Sequence, residues 1–332
     1  MVSKIIRFFY RVLSKIVYLL IPIFSKIFIT FKLNSRIINQ LVKLRSSSND
    51  VYNHKKFISK LLLNEKLIAL DVGAQGGFFE ENIFPKKYND FFSPILVEPL
   101  ENEAKKLTRL GHKVITKGLW SKSCKKNLYI LKQRLGSSSM YKPNKAVLEL
   151  HNLKKKDSLL FDATKVVEIE CSTLDESLKN INVENLDFLK IDTQGAELEI
   201  LKGLGKYYPL MIKAEAQIIP MYENVPHWSE LINYLSKLNY MTCEWTEIGP
   251  HSTKSPAEMD MLFVPNYLNN IGKQKILSKE KEFISLMLIF GQIKLLQIIS
   301  KKLLGSAEYS ESTLAVARWT ICRTRSSLLS FA

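Results

Sequence analysis

Residues 67–80 read L-I-A-L-D-V-G-A-Q-G-G-F-F-E. Four apolar residues lead into Asp71. Gly73, Gly76 and Gly77 follow, and then an aromatic pair. A short apolar run that stops at a glycine cluster reads as a buried strand turning into a helix. Glycines in such a turn let the backbone take unusual angles and approach a ligand closely. Helix N-terminal amides there favour a carboxylate or phosphate. The spacing is D-x-G-x-x-G-G. It is not the dinucleotide pattern G-x-G-x-x-G, and the absence of G-x-x-x-x-G-K-[ST] excludes a Walker-type phosphate loop. Asp71, two residues before the first glycine, repels a pyrophosphate and suits a ligand with a cationic group.

The alternation continues outward from this turn. Strands are predicted over Leu67–Val72, Pro94–Val97, Lys113–Thr116, Leu186–Ile191, Leu210–Ala214, Asn239–Trp245 and Met261–Val264. Helices are predicted over Leu100–Leu110, Gln194–Lys202 and Trp228–Leu238. Strand and helix in this order imply an α/β domain, a parallel sheet with helices on both faces. Ligands of such sheets sit at the carboxyl ends of the strands, where strand order reverses. The second strand ends in V-E-P, and a carboxylate at Glu98 can accept both hydroxyls of a ribose. A ligand with a ribose, an ammonium and a carboxylate but no phosphate is S-adenosylmethionine.

Four stretches, D-V-G-A-Q-G-G, V-E-P, S-T-L-D-E-S-L (Ser172–Leu178) and F-L-K-I-D-T-Q-G-A-E-L-E-I-L-K-G (Phe188–Gly203), together resemble the FkbM-type S-adenosylmethionine-dependent methyltransferases. The resemblance spans Leu67 to Val264, and the last block is its most specific part. Gln75 stands where the family usually has Asn. The resemblance implies a class I, Rossmann-like methyltransferase fold with a seven-stranded, mostly parallel sheet. It also implies O-methylation of sugars or other hydroxylated metabolites. Its matched cofactor positions are Asp71, Gly73, Gly76 and Glu98, with Gly118 and Leu119 near the adenine.

A hydroxyl nucleophile benefits from a base or a metal. Asp192, at the end of the fourth strand, is the first candidate for base or ligand; capping the next helix is its structural alternative. Glu215, an acid among apolar strand residues, is costly unless paired or functional, and is the second candidate. Glu197 either faces the site or offsets a helix dipole. With Asp192 and Glu215 it would complete an oxygen-rich site for a divalent cation, although no metal is predicted. His227, in Y-E-N-V-P-H-W, is a loop base or simply exposed. The G-S-S-S-M run at Gly136–Met140 lines the acceptor site or solvates a turn. Lys154–Lys156 reads as a solvated loop.

The chain has 332 residues, is 46% hydrophobic and carries a net charge of +16. Nine of those charges fall between Met1 and Asn49, a stretch with no acid. The basic excess therefore says little about the catalytic domain. With no N-P-P-[YF] motif present either, nucleic acid is not the expected partner. Four cysteines without C-x-x-C spacing read as reduced thiols. Residues 1–50 read as a basic amphipathic helical segment with Lys4, Arg7, Arg11 and Lys15 on one stripe. Its longest uncharged run, Ile16–Ser25, is too short to span a bilayer. A helix in the membrane interface, a helix packed on the protein's own core and an organellar transit segment all fit.

Arg45–Asp50 reads as a linker. The expected organisation is this segment, a methyltransferase domain over 51–266 and a C-terminal helical extension over 267–332. The extension has three readings: a partner for the N-terminal helix, a dimer interface or a membrane face. The expected location is cytoplasmic, with peripheral contact to a membrane, and the acceptor a small molecule or glycan. A nicotinamide-dependent oxidoreductase and a non-catalytic interaction protein that keeps the fold are the rival readings.

Overall fold

The computed structural model of the chain describes residues 48–78, 86–131, 133–147, 161–248 and 256–303. The basic segment up to residue 47, Lys154–Lys156 and the tail Gly305–Ala332 lie outside them. The chain divides into two units, Met1–Ile58 with Gly305–Ala332, and Ser59–Leu304. The first described element is helix α1 (Ser48–Leu61), so the last residues of the expected linker are already helical.

The strands follow as β1 (Leu67–Val72), β2 (Phe92–Val97), β3 (Lys113–Ile115), β4 (Gly118–Leu119), β5 (Cys124–Ile130), β6 (Lys165–Ser172), β7 (Phe188–Ile191), β8 (Met211–Gln217), β9 (Tyr240–Ile248) and β10 (Glu258–Pro265). The helices are α2 (Glu101–Arg109), α3 (Leu174–Asn180), α4 (Glu197–Lys202), α5 (Trp228–Lys237), α6 (Asn270–Ser278), α7 (Glu280–Ile289) and α8 (Ile293–Leu303). Seven strands form one sheet in the order β3-β2-β1-β7-β8-β10-β9. The pairs β3–β2, β2–β1, β1–β7 and β7–β8 are parallel, and β10 runs antiparallel to both neighbours. The expected mostly parallel sheet is present. Chain order leads outward from β1 to β3 and then returns to β7 beside β1, so the switch point lies between β1 and β7.

The insertion between the third and fourth predicted strands builds a second sheet, β4-β6-β5. Lys125 and Lys126 in β5, and the exposed Glu168 and Glu170 in β6, interrupt the apolar residues of these strands, so neither reads as an apolar run. Lys125 and Glu168 pair across the ladder at 2.6 Å. Helix α3 starts at a capping box in which Thr173 accepts from the Glu176 N–H.

Both faces of the large sheet are buried. Leu70, Val72, Leu189, Ile191, Ile212 and Ala214 share one core with Leu174, Leu201, Leu231 and Leu235 of the helices. On the opposite face Phe188 lies between Phe92, at 6.0 Å, and Phe290, at 5.0 Å between ring centroids. Helix α7 is buried nearly all round, and Lys279 at its start binds Asp187 at 2.6 Å. Residues 270–303 thus join the compact unit that holds the sheet, and secure it from the end opposite the strand carboxyl termini. Among the described residues no helix is long and apolar enough to cross a membrane.

Candidate active site at the carboxyl edge of the sheet

The parallel register aligns Asp71 of β1 with Lys190 of β7 and Lys213 of β8. Side chains two residues apart on a strand share a face. Glu98, Asp192, Glu215 and Gln217 therefore continue the same face toward the carboxyl edge, and Asp260 and Glu258 of β10 stand opposite Glu215 and Gln217. All of these but Asp192 and Glu258 are buried. Asp71, at 1% exposure, accepts from the Lys190 ammonium at 3.2 Å, and Lys190 lies 3.7 Å from Asp192 Oδ2. Lys213 pairs with Asp260 at 2.9 Å. Asp71, expected to meet a cationic ligand, holds an internal cation instead. Neither lysine was among the sequence-derived candidates; the signal was a lysine inside each of two apolar strand runs, F-L-K-I and M-I-K-A.

The glycine turn sits on the start of the β7 loop. Asp192 N–H donates to Val72 O at 3.0 Å. Gly73 has φ +86°, and a Cβ there would stand 1.9 Å from the Asp192 carbonyl oxygen. Gly76 and Gly77 also have positive φ, at 87° and 117°. Gly136 of the serine run packs beside Gln75, where a Cβ would lie 3.2 Å from Gln75 Oε1. Glu98 emerges just past β2. Its Oε1 accepts from Leu100 N–H at 2.8 Å, the carboxylate's one hydrogen-bond partner among the described residues. Burial pushes its carboxyl up to about 7, against the Leu100 hydrogen bond.

Gln194, not foreseen as a site residue, is the hub. Its φ of 59° bends the chain back, and Gly195 follows at +116°. Its Nε2 donates to Asp192 Oδ1 at 3.1 Å and to Glu215 Oε1 at 2.8 Å. The Tyr222 hydroxyl lies 3.1 Å from Gln194 Oε1 and 2.5 Å from Ser137 O. Ser139 Oγ donates to Gln194 O at 2.7 Å. Two serines of the G-S-S-S-M run thus brace the loop that carries Asp192. Burial, then the charges of Asp192 and Glu258, push the Glu215 carboxyl well up. Burial and Asp192 push Glu258 to about 7, with Arg134 opposing. Asp192 is the more open acid of the Gln194-linked pair, its side chain 18% exposed.

Other expectations find different outcomes. Helix α4 begins at Glu197 with Ala196 as its cap, so Asp192 does not cap it. The left-handed Gln194 and Gly195 delay the helix by three residues. Glu197 neither faces the site nor joins a cation cluster, because its carboxylate accepts from Thr193 N–H, Thr193 Oγ1 and Gly195 N–H. Among the described residues no group of three or more metal-ligating side chains is arranged to hold an ion. His227 caps α5, its Nδ1 accepting from Ser229 N–H at 3.3 Å. Gly118 and Leu119 pair with β6, where a Cβ on Gly118 would meet Cys171 Sγ at 2.8 Å; Leu119 is 1% exposed in the core.

The sequence matches the model of the methyltransferase FkbM domain over residues 71–241, slightly more than half of the chain. No curated protein matches it. Among solved structures, similarity extends to the 16S rRNA methylase ArmA, with 12% identity, a TM-score of 0.28 and coverage of 74% of this chain and 97% of that one. It extends also to the plantazolicin methyltransferase BpumL, in complex with a triazolic desmethylPZN analog and SAH. There the identity is 10%, the TM-score 0.30, and coverage 71% of this chain and 93% of the other. Likenesses at these TM-scores carry no argument about substrate.

Proposed function

Since the chain belongs to the FkbM methyltransferase family, and so is an S-adenosylmethionine-dependent methyltransferase, we propose that it methylates a hydroxyl of a sugar, glycan or other hydroxylated metabolite. The residues present fit the cofactor. The buried Glu98 carboxylate keeps acceptor capacity beyond Leu100, which ribose hydroxyls would use. Bound S-adenosylmethionine supplies a methyl group already activated on a sulfonium. Glu98 would hold the ribose. Gly73 and Gly76 would let the turn close on the ligand, and Asp71 would act at one remove, through Lys190 and the turn it carries. Gly118 and Leu119 keep the adenine side as their proposed place.

The observation that carries the acceptor reading is Asp192 beside the switch point. It is partly open, fixed by Gln194 and paired with Lys190. Asp192 would orient the acceptor hydroxyl and take its proton, with Glu215 behind it through Gln194. Orientation of this kind is worth ~7–11 kcal/mol in favourable cases. Transfer of labelled methyl to a panel of hydroxylated, amine and thiol acceptors tests this reading; product methylated only on nitrogen or sulfur would sink it. A nicotinamide-dependent oxidoreductase is disfavoured by the missing G-x-G-x-x-G.

Glu98 supplies a pH test. Only the ionised carboxylate accepts from both ribose hydroxyls, and its proton leaves near pH 7. Calorimetric titration of the full chain should show S-adenosylmethionine binding strengthening from pH 6 to pH 8. Glu98→Ala should weaken binding about 100-fold at pH 8, the scale of two hydrogen bonds to a charged group, and should flatten the pH dependence. Unchanged affinity in the variant would remove Glu98 from the site.

The basic segment Met1–Asn49 supports a cytoplasmic protein held peripherally at an anionic membrane, each base near the surface adding ~1 kcal/mol. Vesicles with anionic lipid should carry the full chain in flotation at low salt and lose it when zwitterionic lipid replaces the anionic one. Equal flotation on both would defeat the electrostatic reading.

A further inference from the structure

At the carboxyl edge Gln217 and Glu258 each carry a buried side-chain atom with no hydrogen-bond partner among the described residues. Gln217 ends β8 at 5% exposure. Its Oε1 accepts from Met221 N–H at 3.1 Å, which sets the amide orientation, since only the oxygen can accept. Its Nε2 has no hydrogen-bond partner among the described residues. Directly across the antiparallel ladder stands Glu258, whose Oε1 likewise has none. Both lie on the face that carries Glu215 and Asp260.

Leaving a buried polar atom unpaired costs about 1–3 kcal/mol, and native structures rarely do so without a reason. Here the two orphans are complementary, one donor and one acceptor. An ammonium would satisfy Glu258 and oppose the amide N–H of Gln217. A carboxylate or phosphate would satisfy Gln217 but, having no proton to donate, would leave Glu258 Oε1 unpaired. A hydroxyl serves both, accepting from Nε2 and donating to Oε1.

The register places Ile191 beside Ala214, which sets Asp192 level with Glu215 and one step short of Gln217 on the same face. From strand spacing and rise, the Asp192 and Gln217 backbones are roughly 8 Å apart, within reach of one sugar ring and its substituents. We propose that Gln217 and Glu258 form a subsite for a second hydroxyl of the acceptor, so that the substrate is a polyol of the sugar class and not an isolated alcohol. This rests on the hydroxyl-methylation reading above and narrows it.

The test uses the full chain with methyl-labelled S-adenosylmethionine. The acceptors are methyl glucoside, methyl galactoside, methyl mannoside and methyl rhamnoside, their monodeoxy analogues, and cyclohexanol as a lone alcohol. For the best glycoside, deleting one particular hydroxyl other than the methylated one should lower kcat/KM at least about 100-fold, because a site built to bond a hydroxyl rejects the analogue lacking it. In Gln217→Met and in Glu258→Ala that ratio should shrink below about 5-fold. A variant that merely loosens the fold lowers both substrates alike and keeps the ratio, which would overturn the subsite. Cyclohexanol turning over as fast as the glycosides would overturn it too. Hydroxyl methylation with the ratio intact in both variants sinks the subsite alone. Cofactor binding with methyl transfer to no glycoside and no alcohol sinks the hydroxyl reading and the subsite together.

Discussion

Gly73→Ala is expected to abolish measurable S-adenosylmethionine binding and to lower stability by about 2–5 kcal/mol, the range for overpacking plus a left-handed non-glycine residue. A Cβ at Gly73 would stand 1.9 Å from the Asp192 carbonyl oxygen, which is main chain and cannot swing aside. Relief requires the turn and the β7 loop to part. That motion breaks the Asp192 N–H bond to Val72 O and displaces Asp192 as well. Gly111 is a matched control. Its φ is +87°, nearly the same, but nothing lies within 4 Å of its would-be Cβ. Gly111→Ala should therefore cost only ~1–2 kcal/mol and leave cofactor binding intact. Denaturant unfolding and calorimetry on both variants separate the collision from the backbone cost. A Gly73→Ala protein that binds the cofactor normally would show that the turn does not close on it.

The turn, the strand-end acids and the sheet were legible because each leaves a local mark. Leu67–Val72 is an apolar run ended by glycine, and β1 has those same bounds. Helix α5 starts at Trp228, as expected from its periodicity. What stayed hidden depends on pairing at long range. In sheet β4-β6-β5 the buried Leu128 and Ile169 are set among charged neighbours such as Lys125, Lys126, Glu168 and Glu170, so β5 and β6 present no continuous apolar run. Lys190 and Lys213 look misplaced within apolar strands until the register sets them beside Asp71 and Asp260. Gln194 reads as an ordinary helix residue, yet it holds a left-handed turn and bridges two carboxylates. Glu197 was ambiguous for the converse reason. A first-turn acid has the same sequence whether it points at a ligand or folds back on the amides of its own loop, and here it folds back.

Asp192→Asn should lower kcat by about 10³-fold, within the 10²–10⁴ range for a positioned general base, while cofactor affinity changes less than about 3-fold. The amide keeps an oxygen for Gln194 Nε2, so the loop retains its brace. What it loses is the negative charge that would accept the hydroxyl proton. The pH profile then distinguishes a base from a prop. The Glu215 carboxyl is held up first by burial and next by the Asp192 charge, so neutralising Asp192 moves it back toward its ordinary value. If Glu215 stands in as a weaker base through the same Gln194 link, the residual rate of Asp192→Asn should rise with pH as Glu215 loses its proton. The double variant Asp192→Asn, Glu215→Gln should lose that rise. A kcat unchanged in Asp192→Asn would take Asp192 out of the chemistry. A large loss with no pH-dependent remainder would leave Asp192 as base and confine Glu215 to holding Gln194. In either case the measurement bears on how a hydroxyl, a poor nucleophile while it keeps its proton, is made to attack at an edge where the nearest positive charge, Lys190, is already shared between Asp71 and Asp192.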